Sequence, residues 1–155
     1  MPIMNGAEII IRQLERHGIT VIAGIPGGAN LPLYDALAAS TTIRHVLARH
    51  EQGAGFIAQG MARATGRPAV CFATSGPGAT NVLTALADAT MDSVPVVCIT
   101  GQVARPLLGT SAFQEVDICA MARPAVKAVF AVHEAGELAA TGAEALHLAG
   151  SGRPG

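Results

Sequence analysis

Five short apolar runs, each followed by a loop and then by a helical pattern, limit what this chain can become. They lie at residues 19–23, 43–48, 69–73, 94–100 and 126–132. Strand signals that alternate with helix signals specify an α/β fold with a mostly parallel sheet. The unbroken apolar run at 94–100 suits a strand covered on both faces. Right-handed crossovers follow from that topology, and ligands in such sheets sit beyond the carboxyl ends of the strands. The loops expected on that edge are 24–30, 49–51, 74–78 and 101–110.

The helices carry their own punctuation. Asn5 followed three residues later by Glu8 has the form of a capping box, and Ala7, Ile10, Ile11 and Leu14 then share one face until Gly18. A small-residue helix runs from Glu51 to Arg63 and stops at Gly66. Further helices are expected at 31–39, 79–91, around 113–121 and at 134–149. Residues 68–87 include no charged side chain, and twenty such residues could span a bilayer. Ser75-Gly76-Pro77-Gly78 interrupts them, so a strand and a helix joined by a tight loop are expected, with no membrane association.

Composition adds one demand. Only 14% of residues are charged and half are hydrophobic, against roughly 25% charged in ordinary soluble domains. A domain of 155 residues has too much surface for so few charges. Part of that surface is therefore expected to be covered by another domain or subunit. A net charge of −1 with scattered Lys and Arg points away from nucleic acid. Cys71, Cys98 and Cys119 lack metal-binding spacing and read as reduced thiols of a cytoplasmic protein.

Glu51 is the one carboxylate whose setting stands out. It opens a helix, where the macrodipole favours an acid for purely structural reasons. Its neighbours Gly53, Ala54, Gly55 and Phe56 offer no charge partner, and such a setting suits proton transfer. Its place on the expected functional edge favours the second reading. Gly24-Ile25-Pro26-Gly27-Gly28 has the position of a phosphate-binding turn, but lacks both the dinucleotide fingerprint and the P-loop Lys. Thr74-Ser75-Gly76-Pro77-Gly78-Ala79-Thr80-Asn81 is more distinctive. Its glycines permit close backbone approach, and Asn81 lies one turn into the following helix. Ser75 is not a hydrolase elbow, because Ala73 stands where Gly is required. The five His show no ligand spacing, and only His50, beside Glu51, draws notice. Phe113-Gln114-Glu115 reads locally as an ordinary helix start.

Taken together, these strings resemble one family. Gly24 to Gly28, Arg49-His50-Glu51-Gln52-Gly53-Ala54, Thr74 to Asn81, Thr100-Gly101-Gln102-Val103 and Ala112-Phe113-Gln114-Glu115 have the order and spacing found in acetohydroxyacid (acetolactate) synthases. The match is to the N-terminal, pyrimidine-binding domain of these thiamine-diphosphate enzymes. The resemblance implies a three-layer fold with a six-stranded, mostly parallel sheet and helices on both faces. It implies a pyrimidine-binding domain over 1–150 and the start of a linker over 151–155. Glu51 would hydrogen-bond the cofactor's aminopyrimidine ring nitrogen and relay protons. Ile25, Pro26, Gly27, Gly28, Pro77 and Asn81 would contact the cofactor, and Ala29, Val103, Phe113 and Gln114 would face the substrate channel. Arg153 would touch FAD, and no residue here would bind metal. Ile25 departs from a usual Tyr, Ala104 from a usual Pro, and Ser111 from a usual Asp.

The same resemblance implies partners. The family's diphosphate and Mg2+ site lies in a C-terminal domain marked by Gly-Asp-Gly and a later Asn-Asn, and neither string occurs here. The chain is therefore expected to be a portion of a longer transferase, inactive alone, completed by the C-terminal domain of a second subunit in a homo-oligomer. Its substrates would be 2-ketoacids, joined in branched-chain amino-acid biosynthesis. Pyruvate oxidase and decarboxylase types share the fold and stay open as alternatives, as does a non-catalytic nucleotide-binding module.

Overall fold

In the computed structural model, which describes residues 4–155, Asn5 opens the first helix, α1 (Gly6–Arg16). Its side chain accepts from the Glu8 amide at 3.0 Å while the Glu8 carboxylate accepts from the Asn5 amide at 2.7 Å. The expected capping box is present, and both amides lack helical partners of their own. After α1 come β1 (Val21–Gly24), α2 (Leu31–Ala38), β2 (Arg44–Leu47), α3 (Glu51–Thr65) and β3 (Ala69–Ala73). They are followed by α4 (Pro77–Met91), β4 (Val96–Thr100), α5 (Ile118–Ala122) and α6 (Leu138–Gly150). Gly66 ends α3 in the left-handed region at φ 67°, where its amide reaches the Ala62 carbonyl.

All strand pairs are parallel, in the order β2-β1-β3-β4. Every strand therefore delivers its carboxyl end to the same edge. Side-chain alternation sorts the core into two layers. Ile22, Val70 and Phe72 point to one face, where Ile11 and Leu14 of α1, Leu33 and Leu37 of α2 and Leu146 of α6 cover them. Ala23 and Cys71 point to the other, against Ala54, Ala58 and Ala62 of α3 and Val82 and Ala89 of α4. β3 is buried along its whole length, and each large apolar side chain so enclosed contributes about 1.5–3 kcal/mol.

Small residues let α3 and α4 approach closely. A Cβ on Gly55 would stand 2.5 Å from that of Ala85, and the buried Gln59 amide donates to the Ala85 carbonyl at 2.7 Å.

The α/β architecture and three layers are as expected, but the described residues form four strands, not six. The run at 126–132 forms no strand. Lys127 in this segment donates instead to the carbonyls of Leu148 and Ser151 at the end of α6. A cavity of about 760 Å3, lined by Val97, Ile99, Val129 and Phe130 among others, lies between this segment and β4. Among the described residues nothing pairs with the outer edge of β4. Two helices are also shorter than expected, α5 covering only Ile118–Ala122 and α6 following a 3-10 turn at Ala135–Glu137. No helix among the described residues is long and apolar enough to cross a membrane.

Candidate active site

The short loop after β2 sets Glu51 as the first residue of α3. His50 caps that helix, its Nδ1 accepting from the Gln52 amide at 3.1 Å. Across the cleft, Pro77 opens α4 with the fixed φ that suits a first helical position. One turn on, Asn81 Nδ2 donates to Glu51 Oε2 at 3.0 Å. Among the described residues no side chain or amide bonds Glu51 Oε1, and that oxygen is not among the sealed, unpartnered atoms. The carboxylate is thus held by one oxygen and presents the other. The N-termini of α3 and α4 both lie beside it.

Glycines make this approach possible. A Cβ on Gly78 would lie 2.7 Å from Thr74 Cγ2 and 3.3 Å from Glu51 Oε1. Thr74 also touches the β1–α2 loop, since a Cβ on Gly27 would meet it at 2.6 Å, and its hydroxyl accepts from the Ala29 amide at 3.3 Å. The loop after β4 joins at Gly101, where a Cβ would stand 2.6 Å from the Ala29 carbonyl oxygen. Gly76, at φ 52°, receives the backbone of Gln114 in the same way, with the Gln114 oxygen 2.6 Å from a Cβ placed there. Four loops therefore meet around Glu51.

The structure brings most of the expected residues to this edge. Ile25 is half-buried against the α3/α4 core layer, while Pro26 and Gly28 are exposed and Gly28 borders open space. Val103 is half-buried on the loop after β4, its amide donating to Gln102 Oε1 at 2.8 Å. Phe113 projects with 88% of its surface exposed. Arg153 is elsewhere. Its guanidinium donates to Ser93 Oγ at 3.0 Å and to the carbonyls of Thr90 and Met91 at 3.2 and 2.9 Å, closing the far end of α4. The helix separates it from the Glu51 edge by ~20 Å, at 1.5 Å per residue.

Two residues on this edge carry no distinguishing sequence signal. Asn30 is fully buried and would pass for the cap of α2, yet it makes no capping bond. Its Oδ1 instead accepts from the Gly27 amide at 2.7 Å and its Nδ2 donates to the Ile25 carbonyl at 3.3 Å, which sets the shape of the loop. Tyr34 lies beneath the end of β1, edge-on to His45 and Phe72. Its hydroxyl is buried without a partner, and burial, with Cys71, Cys98 and Glu51 nearby, pushes the phenol's pKa well above the usual value. Cys71 and Cys98 stand side by side across β3 and β4, and the neighbouring Cys71 thiol together with burial pushes the Cys98 thiol up. Among the described residues no group of three or more His, Cys, Asp or Glu could hold a metal ion.

The parallel sheet gathers its loops around one presented carboxylate, and sequence comparison identifies the class. Residues 4–121 match the family described as thiamine pyrophosphate enzyme, N-terminal TPP binding domain, and the chain belongs to that family. It is 59% identical over 151 residues to the acetolactate synthase isozyme 1 large subunit of Escherichia coli (strain K12), covering 97% of this chain and 27% of that protein. It is likewise 59% identical over 152 residues to an acetolactate synthase of Mycobacterium bovis and 57% identical over 152 to the large subunit of Corynebacterium glutamicum. These alignments cover 98% of this chain and 25% and 24% of the respective relatives. The chain spans about a quarter of the length of the relatives it matches.

Proposed function

We propose that this chain is the pyrimidine-binding portion of a thiamine-diphosphate-dependent acetolactate synthase, which decarboxylates pyruvate and joins the remainder to a second 2-ketoacid for branched-chain amino-acid synthesis. The observation that carries the reading is Glu51, fixed by Asn81 through Oε2 and open at Oε1. An aminopyrimidine is flat, largely apolar on its faces and basic at a ring nitrogen. The edge offers apolar groups from Ile25 and Pro77, open space above Gly28, and one unpartnered carboxylate oxygen, so the residues fit. When bound, thiamine diphosphate supplies a centre that stabilises carbanions. The chain's own part is to hold and move a proton at Glu51 Oε1, to keep that carboxylate oriented through Asn81, and to shape the cleft through Asn30 and Thr74.

The reading extends to partners. Phe56 and Ile57 are exposed on α3 at 41% and 36%, beside Gly53 and Gly60, which face open space. Together with Phe113, they support a covering subunit that carries the diphosphate and Mg2+ site in its C-terminal domain. FAD would be held chiefly by a part of the enzyme outside this chain.

A chimera tests the function. With this chain in place of the matching quarter of the E. coli isozyme 1 large subunit, pyruvate-dependent acetolactate formation is expected. Glu51→Gln should lower it roughly 100-fold or more, the usual scale for a lost acid–base group. Undiminished turnover in that variant would overturn the role of Glu51.

A further inference from the structure

The strap between β4 and α5 adopts an unfavourable backbone at two residues, and the Glu115 carboxylate bridges two of its amides. Ser111 and Gln114 have φ of 56° and 58°, a region that residues with a Cβ seldom occupy. A turn closed by the Glu115 amide on the Ala112 carbonyl at 2.9 Å contains Gln114. The Glu115 side chain then reaches back along the strap. Its Oε1 accepts from the Gly109 amide at 3.3 Å and its Oε2 from the Ser111 amide at 3.2 Å. Gln102 secures the other flank, its Nε2 donating to the Val116 carbonyl at 3.0 Å. The consequence falls on the site, because this turn is what seats the Gln114 backbone on Gly76 and leaves Phe113 projecting.

We propose that Glu115 is a positioning residue: its carboxylate clasps the Gly109 and Ser111 amides and so holds Phe113 and Gln114 at the mouth of the Glu51 site. The proposal rests on the acetolactate synthase reading for what passes that mouth, namely a 2-ketoacid. Both Glu115 carboxylate oxygens are engaged by strap amides, so its proposed effect runs through the strap. The geometry also accounts for a glycine at 76, since any side chain there would strike the Gln114 backbone and undo the docking that Glu115 prepares.

Two measurements on Glu115→Ala and Glu115→Gln test this. In the chain itself, Glu115→Ala should speed amide hydrogen exchange at Gly109 and Ser111 about tenfold, the effect of losing a charge-assisted hydrogen bond. In the chimera it should raise the pyruvate KM about tenfold with a smaller change in kcat, since binding geometry and not proton transfer is lost. Glu115→Gln, which keeps one acceptor oxygen, should recover part of both effects. Unchanged exchange, or faster exchange with an unchanged KM, overturns the proposal. If Glu115→Ala loses its native circular dichroism, Glu115→Gln alone decides: a KM equal to that of the parent chimera overturns it. Failure of the underlying reading looks different, because then the parent chimera forms no acetolactate.

Discussion

At the scale of single residues, the site depends on what is absent as much as on what is present. Gly78 leaves the space beside Glu51, so Gly78→Ala forces Thr74 to shift and crowds the carboxylate. Overpacking of this kind costs about 1–3 kcal/mol, and a thermal melt of the chain should show the loss alongside reduced turnover in the chimera. Tyr34 makes the opposite prediction. Its hydroxyl is buried and unpartnered, so Tyr34→Phe should leave stability within about 1 kcal/mol of the parent or raise it. The same residue sets an alkaline limit. Unfolded tyrosine ionises near pH ~10, whereas burial raises the folded phenol's pKa beyond that. Unfolding therefore releases a proton above this pH, and stability falls as pH rises. Denaturant titrations between pH 8 and pH 11 (roughly the window bracketing the free phenol) should show that decline, and Tyr34→Phe should remove the part due to this residue.

Between elements, the α3–α4 contact carries the site because Glu51 and Asn81 sit one on each helix. Gly55 against Ala85 and Gln59 on the Ala85 carbonyl hold the two together. Gly55→Ala should separate the helices, cost about 1–3 kcal/mol, and weaken the Glu51–Asn81 bond; chemical denaturation and turnover of the chimera measure the two effects. At the first helix the expectation is simpler. Asn5→Ala removes the side-chain acceptor for the Glu8 amide and should cost about 1 kcal/mol by the same denaturation measurement. This cap was readable in sequence because its partners are three residues apart. The role of Asn30 was not, because an Asn before a helix looks the same whether it caps the helix or ties the loop behind it.

For the molecule as a whole, the low charge content and the exposed apolar residues agree. Phe56, Ile57 and Phe113 are exposed, and among the described residues nothing pairs with the outer edge of β4. Unpaired edges and apolar faces promote association. Sedimentation at increasing concentration should show self-association of the chain, and Ile57→Glu should shift it towards monomer. An unmodified chain that stays monomeric at high concentration would contradict a covered α3 face.

The alternation of strands and helices, the parallel sheet, the carboxyl-edge position of Glu51, and the caps at Asn5 and Gly66 are all legible in the order of residues. These rest on periodicity and on contacts within a few residues, which the chain encodes locally. Packing in three dimensions was needed to show that Asn81 clasps Glu51 across thirty positions, that Thr74 meets Gly27 and Gly101 meets Ala29, and that Arg153 closes the far end of α4. It also decided that the run at 126–132, apolar enough to be a strand, lies apart from β4. Each of these depends on which strand lies beside which and on how closely helices pass. Strand order and helix packing are settled by competition among all possible burials at once, so no short stretch of residues contains the answer.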